Sequence, residues 1–156
     1  CDIKKEVMNQ YINILLAFIG GVFLAMQGGL NAQLGVHLKN PLLASLTAFF
    51  FSMLFALLAV VLTVKNIPKT SLLISIPKHL WFTGALFSVI GIGLYYYTIP
   101  KLGISTMISL GLFGQLIFSA LAGHYGWFGL PQEPMVMKKV LGLLAMTIGI
   151  LLINKS

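Results

Sequence analysis

The sequence predicts an all-α membrane protein, a bundle of five transmembrane helices with almost nothing outside them. Three observations carry this. Hydrophobic residues make up 58% of the chain and charged residues 8%, where a soluble domain carries about 25% charged residues. The mean hydropathy is +0.98, too apolar for a chain that must clothe its surface in water. The apolar residues also fall in unbroken runs of about twenty, the length a helix needs to cross a bilayer. A β-barrel would instead show short segments alternating apolar and polar residues.

Residues 1–10 read as an amino-terminal cytoplasmic tail, 11–153 as one transmembrane domain and 154–156 as a carboxyl-terminal tail. The first span covers 11–35. It is too long for a cleavable signal, lacks a clear small-residue cleavage site and is followed by further spans. Lys39-Asn40-Pro41 makes a tight connection to the second span, 42–64. Lys65 to His79 is a loop broken by Pro68 and Pro77, and its Leu72, Leu73, Ile74 and Ile76 can lie along the membrane surface. The third span covers 80–99, Pro100-Lys101 marks a turn, and the fourth covers 102–122. A second loop, Gly123 to Lys139, holds Tyr125, Trp127 and Phe128, aromatic residues suited to the interfacial belt. The last apolar run, 140–153, is about 21 Å long as a helix, short for a core of about 30 Å. Extension back to 138, with Lys138, Lys139 and Lys155 snorkelling, makes it long enough to span.

The net charge of +7 comes from ten lysines and no arginine. They stand singly or in pairs between apolar runs and form no basic patch, so nucleic acid is not an expected partner. Membrane lipid is. Lys4, Lys5, Lys65, Lys69, Lys78, Lys138 and Lys139 fall on one side, against Lys39, Lys101 and Lys155 on the other. That bias places the amino terminus in the cytoplasm and the carboxyl terminus outside. Met8 reads as a natural initiator, with residues 1–7 an addition ahead of it; were that so, the bias would fall to five against three. A lone Cys1 forms no internal disulfide.

Polar groups at bilayer depth must face a cavity or a neighbouring helix. On the first span, Asn13, Ala17, Gly20, Leu24, Gln27 and Asn31 are spaced alternately four and three and share one face. Gln27 and Asn31 can hydrogen-bond a substrate or a neighbouring helix, and the pattern alone leaves both open. The third span repeats the spacing with Gly84, Ser88, Gly91 and Tyr95. The fourth shows Gly111, Gln115, Ser119 and Ala122, and the last Gly142, Ala145 and Gly149. Gly84, Ser88, Gly91, Gly142, Ala145 and Gly149 are assigned to helix packing, because small residues let backbones approach.

The acids, Asp2, Glu6 and Glu133, all lie outside the spans, which leaves no embedded carboxylate to exchange protons. His124, at the end of the fourth span, can titrate or simply make an interfacial hydrogen bond. The histidines are scattered at 37, 79 and 124, so no metal cluster is expected. Neither a nucleophile beside a base nor a glycine-rich phosphate loop is present. No catalytic residue, metal or cofactor is therefore expected.

Gln27-Gly28, Asn31, Leu34-Gly35 and Asn40-Pro41-Leu42 resemble the opening of the YdcZ-like family of the drug/metabolite transporter superfamily. Pro100-Lys101-Leu102-Gly103, Gly114-Gln115-Leu116, His124-Tyr125-Gly126, Gly129, Gly142 and Gly149 continue the likeness in order along the chain. The family often has Asp before the His-aromatic-Gly, and here Gly123 stands in its place. The resemblance implies a five-helix half-transporter. Such a unit needs an oppositely oriented partner, a copy of itself (homodimer) or a different chain (heterodimer), with substrate held between the two. The lysine bias favours a separate partner chain.

Two functions compete. In the first, the chain is a transporter subunit moving a small neutral or partly apolar molecule across the cytoplasmic membrane, with Gln27, Asn31, Gln115, Ser119 and Tyr95 lining the path. In the second it is a membrane assembly or scaffold subunit that transports nothing, and its polar faces are packing contacts.

Overall fold

The computed structural model describes residues 2–129 and 131–154, with side chains from Val7 to Ile153 except Leu130. The expectations for Cys1, for Lys155 and for the side chains of Asp2, Lys4, Lys5 and Glu6 lie outside what is described. Among the described residues the ordered elements are all helical: α1 (Asp2–His37), α2 (Pro41–Thr63), α3 (Thr70–Ser75), α4 (Thr83–Leu102), α5 (Ile104–Tyr125) and α6 (Met137–Asn154). Single 3-10 turns occupy Lys78–Trp81 and Trp127–Gly129. Four stretches among the described residues are long and apolar enough to cross a membrane: Val7–His37, Pro41–Thr63, Lys78–Leu102 and Ile104–Tyr125. Among the described residues there are thus six α-helices and four such spans where sequence reading counted five spans. The extra helix is α3, which forms inside the first loop. α6, with two lysines in its first turn, lies outside the four.

The chain divides into two compact units, Cys1–Lys101 and Leu102–Ser156. In the first, the α1–α2 corner is built from the sequence Leu38-Lys39-Asn40-Pro41. The amide of Asn40 donates to Gly35 O at 3.0 Å and that of Lys39 to Val36 O at 3.1 Å, the paired closure that ends a helix on a left-handed residue. Lys39 takes that conformation, with φ 53°. Asn40 is extended and caps α2, its Oδ1 accepting from the amides of Leu42 at 2.9 Å and Leu43 at 3.4 Å. Pro41 occupies the first helical position, where its missing N–H costs nothing.

Beyond this corner, small residues lie where neighbouring helices meet. A Cβ on Gly35 would stand 3.5 Å from Ala44 Cβ, and one on Gly28 would stand 3.6 Å from Ile99 Cδ1. On α4 a Cβ at Gly93 would come within 3.3 Å of Leu42 Cδ2. Ala32, Ala44, Ser45, Tyr96 and Ile99 are buried around these crossings. By contrast, every residue of α2 from Phe50 onward is exposed, as expected of a surface that meets lipid or another membrane chain rather than water.

α4 does not stop at Pro100 but runs through it to Leu102. The break that sequence reading assigned to Pro100-Lys101 falls at Gly103, whose φ of 81° is open to glycine and strained for other residues. α1 likewise begins at Asp2, ahead of the Tyr11 at which the apolar run starts. In the second unit α5 and α6 pack as an antiparallel pair through the 126–136 connection, with Met107, Ala122 and Ile150 buried.

Candidate functional site

In the first unit, polar groups at membrane depth gather where the carboxyl-terminal half of α1 approaches α4. Asn31 Nδ2 donates to the Tyr96 hydroxyl at 2.9 Å. Tyr96 is 3% exposed and Asn31 half-buried, as is Gln27 one turn earlier. An amide-to-phenol bond between helices satisfies both groups where water is scarce. The half-exposed amides of Gln27 and Asn31 can still meet a small molecule by hydrogen bonding, beside the apolar and aromatic surface of α4.

Sequence reading placed Tyr95 on this path. The structure leaves Tyr95 half-buried and makes Tyr96 the partner of Asn31, a residue that sequence reading did not single out. The hydroxyls nearby are held by their own helices: Ser45 Oγ donates to Pro41 O at 3.0 Å and Thr98 Oγ1 to Leu94 O at 2.7 Å. Farther along, Lys101 Nζ sits 3.4 Å from the centre of the Tyr97 ring, a cation resting on an aromatic face at the end of α4. A hollow of about 550 Å³ runs beside Asn9, Gln10, Asn13, Ile14 and Ala17; all of them belong to α1, so it is an open groove and encloses nothing.

In the second unit, Gln115 and Ser119 are exposed on α5, and Ser119 Oγ donates back to Leu116 O at 3.0 Å. The residues assigned to packing have open space beside them within the chain itself. A Cβ at Gly84, Gly91, Gly142 or Gly149 would meet nothing within 4 Å, and Ser88 and Ala145 are exposed. The close approaches are instead at Gly28, Gly35 and Gly93. Gly28 and Ala32 are themselves a small-xxx-small pair, and that signal could have found the face.

The connection after α5 is tightly organised. Gly126 ends the helix in the left-handed region, φ 64°, its amide donating to Ala122 O and Gly123 O. Gly123 O also accepts from the Glu133 amide at 2.8 Å. His124 Nδ1 accepts from the Met135 amide at 3.2 Å. Tyr125 stacks on Trp127 at 5.8 Å, and Phe118 lies against Trp127 and Phe128. Lys139 Nζ pairs with Glu133 Oε2 at 2.7 Å; this hydrogen bond and its charge hold the Glu133 carboxyl below the usual carboxylate range. Among the described residues, no three His, Cys, Asp or Glu side chains come together as a metal site.

Comparison with known proteins gives one family. A family model described as "Putative inner membrane exporter, YdcZ" matches residues 12–152. Neither a curated protein nor a solved structure gives a match.

Proposed function

Because the chain belongs to the YdcZ family of inner-membrane exporters, we propose that it is one five-helix half of a transporter for a small neutral or partly apolar molecule. The family supports membrane transport rather than enzymatic chemistry. The finer reading rests on the chain itself. α6, 18 residues long, is about 27 Å as a helix, and Lys138 and Lys139 in its first turn can snorkel to the interface. It then serves as the fifth span, with the amino terminus inside and the carboxyl terminus outside. An odd number of spans suits a unit that works beside an inverted partner, a second copy or another chain.

The observation that carries the path is the polar pair at membrane depth, Asn31 with Tyr96, next to the half-buried Gln27. Gln27, Asn31, Tyr95, Gln115 and Ser119 are the residues proposed to line the path. With no acid inside the spans, the substrate is held by hydrogen bonds and apolar contact rather than by an ion pair. The same Asn31–Tyr96 bond also favours a second reading, in which the polar groups only join helices of a scaffold subunit.

Flux and assembly separate the two. Cells bearing the wild-type chain, or the double variant Gln27→Ala with Asn31→Ala, are loaded with a panel of uncharged aromatic amphiphiles and their efflux followed. The expected result is lost efflux with an unchanged elution profile of the purified protein. Unchanged efflux would remove these residues from the path. Joint loss of efflux and assembly would assign these residues to helix packing, and no efflux from the wild type would favour the scaffold.

A further inference from the structure

Two bonds tie the connection between α5 and α6 back onto the end of α5, and they differ in one respect. Gly123 O accepts from the Glu133 amide at 2.8 Å, and a backbone carbonyl keeps its lone pairs at any ordinary pH. His124 Nδ1 accepts from the Met135 amide at 3.2 Å, which it does only while the imidazole is neutral with its proton on Nε2. A second proton lands on Nδ1 and turns the acceptor into a donor. Two N–H groups then face each other and the bond cannot exist.

We propose that His124 is a proton-operated latch on the α5–α6 connection, holding the chain at Met135 when neutral and releasing it when protonated. The release falls on a sensitive place. Val136 O accepts from the amides of Lys139 at 2.9 Å and Val140 at 3.3 Å, so the residue after Met135 starts the hydrogen bonding of α6. The latch therefore governs the lead into α6. It does not depend on the transport reading.

The surroundings permit the change. His124 closes the α5 span and meets the connection that carries the charged Glu133 and Lys139, which puts it at the membrane–water interface, where a proton can reach it. It lies in the last turn of α5, at the start of the connection. The titratable and charged groups around it are Tyr125 on its own helix, in ring contact at 5.0 Å, Glu133 on the connection, and Lys138 and Lys139 at the start of α6. Glu133 and Lys139 are already paired. Because Lys139 holds the Glu133 carboxyl below its usual range, that pair is present above the carboxylate's titration and lost only at still lower pH. It stays intact through the interval of about pH 5 to 8 in which histidine side chains change charge. The latch and the ion pair are thus separable by pH.

The test is residue-resolved amide exchange on the full chain in lipid nanodiscs at pH 8 and pH 5.5, corrected for the intrinsic dependence of exchange on pH. Pro134 has no N–H, so across 133–135 the reporting amides are those of Glu133 and Met135. In the wild type, protection at Met135 is expected to fall roughly three- to tenfold at the lower pH, the range set by losing one hydrogen bond, with Glu133 little changed. In His124→Gln, which cannot protonate, Met135 should show the same protection at both values, whether high or low. The proposal is overturned if Met135 in the wild type ignores pH, or if the pH response survives in His124→Gln.

Discussion

The Asn31–Tyr96 bond can be isolated by a double-mutant cycle. Tyr96→Phe removes only the hydroxyl and keeps the ring, which is 3% exposed and therefore well packed. Asn31→Leu replaces the amide by an apolar group of nearly its shape. Interhelical hydrogen bonds in membrane proteins average about 0.6 kcal/mol and reach about 1.7. The bond here is 2.9 Å long, within the favourable range, and water cannot easily replace the Tyr96 side of it. Asn31 is only half-buried, which lowers the value. A coupling energy of about 1 kcal/mol follows. The single variants should not be equal. Tyr96→Phe leaves a half-exposed amide with room to turn to another partner, whereas Asn31→Leu leaves a buried hydroxyl without its partner, at about 1–3 kcal/mol. The double variant should be less destabilised than the sum of the singles. Unfolding by SDS titration in mixed micelles, followed through the two tryptophans, measures all four corners. Additivity within about 0.3 kcal/mol would mean that the bond is not formed in the membrane, and the site would lose its centre.

Two further outcomes are expected. Gly126→Ala meets both a φ of 64° and Gln132 Cγ, which would lie 2.7 Å from the new Cβ; a left-handed alanine alone costs about 1–2 kcal/mol. Thermal unfolding should show a clear drop, of which the added substitution Gln132→Ala restores only the part due to collision; full restoration would show that the turn's conformation is not the constraint. Reporter fusions to each terminus in native membranes should place the amino end inside and the carboxyl end outside. Both ends on one side would mean that α6 does not cross, and a mixed population would point to an antiparallel pair of identical chains.

The long helices were legible because continuous apolar runs leave the chain no other way to satisfy its backbone. The α1–α2 corner was legible too, since Asn40 and Pro41 are residues that start helices. The partner of Asn31 was not. Periodicity grouped Tyr95 with Gly84, Ser88 and Gly91, yet adjacent residues point about 100° apart around a helix, and only packing decides which face meets α1. The short α3 escaped notice because six residues make fewer than two helical turns, too few to show a repeat. Nor could sequence show that His124 and Met135, separated by eleven positions, meet through a loop whose path depends on Gly126 and on Phe128 with φ 61°.

The narrow crossings at Gly28, Gly35, Ala44 and Gly93 invert the usual map of mutational tolerance. In a water-soluble protein a saturation scan finds its intolerant positions at large buried leucines and phenylalanines, where truncation opens cavities. Here most of those side chains point outward, and one apolar residue there can replace another at little cost to the fold. The sensitive columns should be the small residues: a methyl at Gly93 would press on Leu42 Cδ2 at 3.3 Å, one at Gly28 or Gly35 would just reach contact, and any larger side chain must displace its neighbours. A library that varies only bulky positions would leave the fold intact and teach little about what holds it.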